Sequence, residues 1–138
     1  SLLICFDLRF PEIYRALNKL NVQCILQSFY NARQKEQSVH RHIIRQTMQA
    51  NAASNYFWVS LANSCGKIAP YSSCFIQPDG EIINELKLNE PGIMLNMVDT
   101  SLSFYDPSAK FRQIAMSGKL TNGPGDINDP RSIDTKSL

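Results

Sequence analysis

The residue best placed to act as a nucleophile in this sequence is Cys5, which follows the apolar run "LLI" and precedes the charged segment "FDLRFPE". A thiol attacks as the thiolate, so it needs a lowered pKa or a nearby base. The end of a strand that turns directly into a helix suits such a residue. There the sheet fixes the sulfur and the turn aims backbone N–H groups at a developing oxyanion. Position alone leaves an inert, buried thiol as the alternative, because free cysteines often simply pack.

Other polar residues near this thiol and along the chain favour structural roles. Asp7 and Arg9 are expected to satisfy backbone groups of the turn and to pair with each other. His40 and His42 are two residues apart, so on a helix they point to different faces and are expected to be solvated. A metal-binding module built from histidines and cysteines remains an alternative, although the absence of C-x-x-C spacing indicates no zinc site.

A strand, a helix and a second strand are predicted to position Cys5. The strand "LLIC" reads as buried, and "VQCILQ" (22–27) reads as the second strand. The segment "FPEIYRALNKL" between them suits a helix that begins at Pro11, with apolar residues along one face at Ile13, Leu17 and Leu20. A strand–helix–strand unit favours parallel pairing of its strands.

The rest of the chain continues this α/β pattern. A loop is predicted at 28–34 and a long helix at 35–54, whose inward stripe would be Val39, Ile43, Thr47 and Ala50. A buried strand at 56–63 would place Trp58 in the core. A hairpin is predicted from 71–77 and 81–86 around the turn "PDG", and a further strand at 92–98. The remainder is rich in Gly, Pro, Asn and Asp and reads as a largely irregular tail.

Composition narrows the classes of function. The chain has 138 residues, 43% hydrophobic and 19% charged, which is typical of a soluble globular protein. A net charge of +2 without a basic stripe argues against a nucleic-acid partner, and no apolar run is long enough for a membrane partner. The cysteines lack C-x-x-C spacing, which favours reduced thiols in a cytoplasmic protein. Because the chain starts at Ser1 inside a core strand, we expect it to be a piece of a longer protein.

Four segments resemble one family. "CFDLRFPE" (5–12) resembles the nucleophile segment C-[YF]-D-x-R-F-P-E of the nitrilase, or carbon–nitrogen hydrolase, superfamily. "QSFYNAR" resembles its P-S-x-W loop, with Tyr30 where an aromatic residue often borders the substrate. "QANAASNYFWVSLAN" is similar to R-A-R-A-x-E-N-x-x-Y-V-V-x-x-N, and "SSCFIQPDGEII" is similar to its P-x-G-E hairpin.

The resemblance implies the C-terminal half of a nitrilase-type α-β-β-α sandwich, an α/β fold that is here incomplete at the N-terminus. It implies a partial carbon–nitrogen hydrolase domain at 1–103 and a C-terminal extension at 104–138. The implied reaction is hydrolysis of a non-peptide carbon–nitrogen bond in a small amide, nitrile or carbamoyl compound. Cys5 would be the nucleophile, the backbone N–H of Phe6 part of the oxyanion hole, and Tyr30 a substrate-binding residue. No cofactor is implied, and a homo-oligomer is possible.

The resemblance also implies two catalytic partners that this chain does not supply. The family's glutamate base and lysine both precede the cysteine, and only four residues precede Cys5. Glu12 suits the first helical turn, and nothing places Lys35 or Lys67 at the sulfur. The isolated chain is therefore expected to be inactive, and a non-catalytic scaffold of the same fold is the alternative. Departures from the R-A-R-A-x-E-N pattern occur at Gln49, Asn51 and Ser54.

Overall fold

The computed structural model describes residues 1–30, 42–66 and 69–116, with side chains described as far as residue 112. Its elements are β1 (Leu2–Ile4), a 3-10 helix (Cys5–Arg9), α1 (Pro11–Lys19), β2 (Cys24–Ser28), α2 (Ile44–Asn55), β3 (Trp58–Ala62), β4 (Cys74–Ile76), β5 (Ile82–Glu85) and α3 (Ala109–Met116). The predicted loop residues 31–34 and helix residues 35–41 lie outside this description.

The five strands form one mixed sheet in the order β1-β2-β3-β4-β5. The first three are parallel, with Leu3 opposite Gln27 and Gln27 opposite Leu61. β4 and β5 run antiparallel, joined by the predicted turn, in which Gly80 has a φ of 90°. The predicted parallel unit and the predicted hairpin are both confirmed.

One face of the sheet is covered by α1 and α2. Apolar side chains from alternate strand positions meet the helices there, because successive strand residues point to opposite faces. This core contains Leu3, Ile25, Val59, Leu61, Cys74 and Ile76 from the strands, and Tyr14, Met48 and Ala52 from the helices.

The predicted inward stripe of α2 is wrong by one residue. Ile43 and Ala50 are exposed and Thr47 is half-buried. The buried residues of α2 are Ile44, Met48, Asn51, Ala52 and Asn55. The inward face carries two asparagines, which an apolar pattern cannot reveal. Asn55 is accommodated because its side-chain nitrogen donates to the Asn51 carbonyl at 2.9 Å and its own carbonyl accepts from Asn18 at 2.7 Å.

The opposite face of the sheet is only partly covered. Trp58 stacks on Phe75 with ring centroids 5.4 Å apart, and Phe104 meets Trp58 edge-on, so the predicted core position of Trp58 is confirmed. At β1, however, Leu2 is 76% exposed and Ile4 69% exposed. The prediction of a buried first strand is therefore right for one face and wrong for the other. Leu20, expected on the inner face of α1, is also exposed because it lies beyond the last helical residue.

The predicted strand at 92–98 does not form in this structure. Ile93, Leu95 and Met97 alternate as a strand would, yet all three are more than 80% exposed. A strand needs a neighbour to satisfy its backbone groups, and no described segment pairs with this one.

The chain divides into one compact unit, Ser1–Phe104, and a second, Tyr105–Leu138. Within the second unit, Asp106, which precedes α3, forms an ion pair with Arg112 of that helix. Residues 117–138, the bulk of the predicted irregular tail, lie outside the described residues. None of the helices in the described ranges is both long and apolar enough to cross a membrane.

Candidate active site

Cys5 occupies a strained turn at the end of β1. It is the first residue of the 3-10 helix and has a φ of 31°, in the left-handed region. That backbone conformation costs a residue with a side chain about 1–2 kcal/mol. The thiol is half-buried and packs against the core. Such strain persists only where surrounding contacts hold it, and it is often found at functional sites.

Asp7 holds this turn at both ends. Its carboxylate accepts the backbone N–H of Ile4 at 2.8 Å, and its carbonyl accepts the N–H of Phe10 at 3.2 Å. The leading N–H groups of a helix have no acceptor within the helix. The N–H of Phe6, the second residue of the 3-10 helix, belongs to this group.

The predicted pairing of Asp7 with Arg9 is wrong, because the two form no ion pair. The Arg9 guanidinium instead lies over the Phe6 ring, 5.1 Å from its centroid. Phe6 in turn meets Phe10 edge-on, with centroids 5.1 Å apart. A structural role for both charged residues agrees with these contacts, which support the turn without engaging the thiol.

The candidate site residues share one edge of the sheet. Parallel strands place their carboxyl ends together, so Cys5 after β1, Tyr30 after β2 and Asn63 after β3 lie along that edge. Tyr30 is 72% exposed, whereas its neighbour Phe29 is buried and its N–H donates to the Ala62 carbonyl at 2.7 Å. Tyr30 is therefore open to solvent rather than packed in the core.

A cavity of about 170 Å³ lies at the same edge, where β3 and β5 end and β4 begins. Its lining includes Asn63, Cys65, Ser73 and Lys87. The backbone N–H of Asn63 donates to Ser73 Oγ at 2.9 Å, which fixes one wall. Small-molecule sites usually enclose about 300–1,000 Å³. The cavity is thus smaller than a usual small-molecule site, and neither Cys5 nor Tyr30 lines it.

The four cysteines are free and differ in their surroundings. Burial raises the pKa of Cys74 to about 11 and raises the pKa of Cys24 above its ordinary value. Both are thereby kept as neutral thiols, which are poor nucleophiles. Cys65 is exposed, so exposure alone does not single out Cys5; the turn does.

The histidines and acidic residues show no metal site in the described ranges. No group of three or more His, Cys, Asp or Glu side chains converges there. His42 is exposed and His40 lies outside the described residues, as do Lys35 and Lys67.

The sequence did not reveal a buried polar cluster behind the turn. Tyr14 of α1 is fully buried, and its hydroxyl donates to Gln27 Oε1 at 2.6 Å. Burial raises the pKa of Tyr14 well above its usual range. One signal was present: Gln27 follows Ile25 by two residues, so both point to the same inward face.

Comparison with known proteins places this geometry in a family. The carbon–nitrogen hydrolase family profile matches residues 1–104. A comparison with curated proteins returned no match.

Among solved structures, the chain is similar to a cysteine-to-alanine mutant of the amidase from Nesterenkonia sp. AN1 in complex with butyramide. The identity is 28% and the TM-score 0.55, over 67% of this chain and 34% of that one. A glutamate-to-glutamine mutant of the same amidase, with acrylamide added at the active-site cysteine, gives 29% identity and a TM-score of 0.55, over 67% and 35% of the two chains. Saccharomyces cerevisiae Nit3, a member of branch 10 of the nitrilase superfamily, shares the fold at 22% identity and a TM-score of 0.50, over 62% and 32%.

The present chain thus spans about a third of the length of these matched structures. Its mixed sheet with helices on one face is a partial α-β-β-α domain, which confirms the expected α/β fold class. By profile, fold and sequence pattern, this chain belongs to the carbon–nitrogen hydrolase family of the nitrilase superfamily.

Proposed function

We propose that this chain supplies the nucleophile of an amide-hydrolysing enzyme, and that the nucleophile is Cys5. The observation that carries the proposal is the left-handed turn at Cys5, held by Asp7 at the carboxyl edge of a sheet within the family-matched segment. A turn of this kind presents the sulfur and the leading backbone N–H groups together.

The chemistry proceeds through a thioester. The Cys5 thiolate attacks the carbonyl carbon, and the oxygen becomes an oxyanion that accepts a hydrogen bond from the Phe6 N–H. The carbon–nitrogen bond then breaks and the nitrogen leaves as ammonia or an amine after taking up a proton. Water attacks the thioester, which releases the acid and restores the thiol. No step calls for a metal or an organic cofactor.

The substrate class is a small amide. A cysteine-to-alanine mutant of the matched Nesterenkonia amidase forms a complex with butyramide, and a glutamate-to-glutamine mutant takes up acrylamide at the active-site cysteine, which supports this class for the present family member. Tyr30 lies exposed at the same sheet edge as Cys5 and is proposed to border the substrate.

The base and the lysine of the reaction are proposed to come from polypeptide that precedes this segment in a longer protein. Without the base the thiol is less activated, and without the lysine the oxyanion loses a charged donor. The 138-residue chain alone is therefore proposed to be inactive.

Ammonia release from butyramide tests both statements. The purified 138-residue chain should give only background, whereas a longer protein containing it should be active and lose at least about a thousandfold on Cys5→Ala. Activity of the 138-residue chain that disappears on Cys5→Ser would contradict its proposed inactivity. Coding sequence ahead of Ser1 without an in-frame Glu and Lys would favour the scaffold alternative.

Labelling by a substrate-like electrophile tests the choice of thiol. Fluoroacetamide should alkylate Cys5 of the longer protein fastest, as followed by peptide mass spectrometry. Cys65→Ser is the matched control, because it removes the most accessible competitor and should leave the rate at Cys5 unchanged. Faster labelling of Cys24, Cys65 or Cys74 would argue against the assignment.

Three broader features are proposed on the same basis. Residues 1–103 are the hydrolase portion and 104–138 an extension of it. The free thiols suit a reducing compartment such as the cytoplasm. Self-association of the protein is proposed from the family resemblance alone.

A further inference from the structure

The sheet face opposite α1 and α2 has the composition of a buried surface. One row of side chains on this face crosses all five strands and consists of Leu2, Leu26, Ser60, Phe75 and Asn84. Successive strand residues alternate between the two faces, and the residues of β1 to β4 that point this way include no charged side chain. A sheet face that contacts water normally carries polar side chains at alternate positions. This face is therefore suited to contact with another layer of protein.

Among the described residues, only one half of this face is covered. Phe104 meets Trp58 edge-on, with ring centroids 6.1 Å apart, and Trp58 is 4% exposed. Over β1 and β2, by contrast, Leu2, Ile4 and Leu26 are open to solvent. The strands β1, β2 and β3 are parallel, and parallel sheets are found almost only with both faces covered. The open half is therefore expected to pack against a further layer.

The segment 92–98 borders the same face at β5. The Asn84 side-chain nitrogen donates to Asn96 Oδ1 at 2.9 Å, and Asn84 is the last member of the row across the sheet. Ile93 and Leu95 of this segment are exposed, and the segment has no charged residue. It therefore enlarges the apolar surface beyond the sheet itself.

The size of this surface is close to the lower limit for a specific contact between proteins. Strands lie about 4.8 Å apart and rise about 3.3 Å per residue, so the sheet has a footprint of about 400 Å². The extended segment brings the footprint to about 600 Å². Specific interfaces bury about 600–1,000 Å² on each partner. The surface is thus large enough for a weak contact.

A second copy of the same face fits this surface. In a two-fold dimer the same patch of both copies meets, so the patch must be complementary to itself. A charged patch would place like charges opposite each other, whereas this patch places apolar side chains opposite apolar side chains. The helices α1 and α2 lie on the far side of each sheet. Contact between the two faces therefore gives the layer order helix, sheet, sheet, helix.

We propose that two copies of this chain pack face to face through this uncharged sheet surface, with Leu2, Ile4 and Leu26 of each copy at the contact. An interface of this size is weak, so the face is open in dilute solution and closed at high concentration. The proposal rests on the sheet face and does not depend on whether the protein hydrolyses amides.

Sedimentation of the 138-residue chain at about 5 to 500 µM tests the dimer, because small interfaces give dissociation constants in the micromolar range or weaker. The mass should rise reversibly from one chain to two. Leu2→Lys combined with Leu26→Lys should weaken the association by at least about tenfold, since the added charges meet in the contact. Gln46→Lys combined with Ala50→Lys is the matched control and should leave the association unchanged, because both exposed positions lie on α2.

Nuclear magnetic resonance of a mixture of isotope-labelled and unlabelled chains tests which surface is used. Cross-peaks between copies should connect the methyl groups of Leu2, Ile4 and Leu26. This measurement needs no substitution, so it still decides the matter if the double variant does not fold.

Several outcomes would overturn the proposal. A mass of one chain at every concentration would show that the faces do not meet, and growth beyond two copies would show that the contact is not closed by a two-fold axis. Cross-peaks between copies at α1 or α2 alone would place the contact on the helices. Cross-peaks to Leu2 and Leu26 that arise only within one chain would show that another part of the same chain covers the face.

Discussion

Cys74 is the fully buried thiol of β4, and its titration links stability to alkaline pH. Burial raises its pKa from 9.0 to about 11 in the folded chain, while the unfolded thiol keeps the ordinary value. The Cys74 thiol therefore keeps its proton to a higher pH in the folded state than in the unfolded state. This difference in pKa contributes about 2–3 kcal/mol to the free energy of unfolding. The contribution is complete below pH 9 and is lost as the pH rises to about 11.

Urea unfolding at pH 7 to 11 measures this effect. Cys74→Ala should be less stable at neutral pH because of the cavity, yet lose less further stability on going to pH 11. Cys65→Ala, at an exposed thiol, should follow the unaltered chain. Parallel pH profiles for all three proteins would contradict the expected linkage. The raised pKa of Tyr14 acts in the same direction at higher pH.

For single residues, the sequence predicted the environment or role where the neighbouring residues in the chain indicate it. Trp58 was expected in the core because aromatic and β-branched residues surround it, and Cys5 was singled out by its place after an apolar run. The contact between Tyr14 and Gln27 was not predictable in the same way. It depends on how α1 crosses β2, which no local pattern encodes.

Among the elements, the hairpin of β4 and β5 depends on Gly80. Its φ of 90° lies in a region that side chains avoid, and a Cβ there would come within 3.0 Å of the Gln49 carbonyl oxygen. The Gln49 side-chain amide also donates to the Gly80 carbonyl at 2.8 Å, so the turn cannot move away freely from α2.

Gly80→Ala is therefore expected to destabilise the chain by about 1–3 kcal/mol. Gly92→Ala is the matched control. Its added Cβ would meet only the end of the Leu86 side chain, at 3.1 Å, which can shift. Chemical denaturation should show a clear loss for the first variant and a small change for the second; equal losses would contradict the account.

Element types were predictable and their inward faces less so. The strand and hairpin positions followed from alternation, Gly and Pro. The face of α2 did not, because Asn51 and Asn55 point inward through hydrogen bonds that only the assembled structure provides. Residues 92–98 carry a clear strand pattern, but pairing depends on a neighbour that the described chain does not contain.

On the scale of the whole molecule, the first compact unit has an unusual amount of exposed apolar surface. One face of the sheet exposes Leu2, Ile4 and Leu26. The segment 92–98, which follows β5, exposes Ile93 and Leu95. Contiguous apolar patches on monomers are usually limited, and larger ones mark interaction surfaces.

This surface should bind an apolar dye while the chain remains folded. Anilinonaphthalene sulfonate fluorescence is expected to rise on adding the native chain and to fall by about twofold in Leu2→Lys combined with Leu26→Lys, two exposed residues that lie opposite each other on β1 and β2. Gln46→Lys combined with Ala50→Lys adds the same two charges at exposed positions of α2, on the covered side of the sheet, and should leave the fluorescence unchanged. A fluorescence rise that is the same for all these variants would show that the dye binds elsewhere and would contradict the prediction.

The backbone of Cys5 restricts which reactive groups this position can carry. Side chains branched at Cβ are poorly tolerated at a φ of 31°. Serine is the hydroxyl amino acid that could replace the thiol with little further strain, while threonine would force the turn open. Cys5→Ser is therefore the practical substitution for replacing the sulfur nucleophile with an oxygen one.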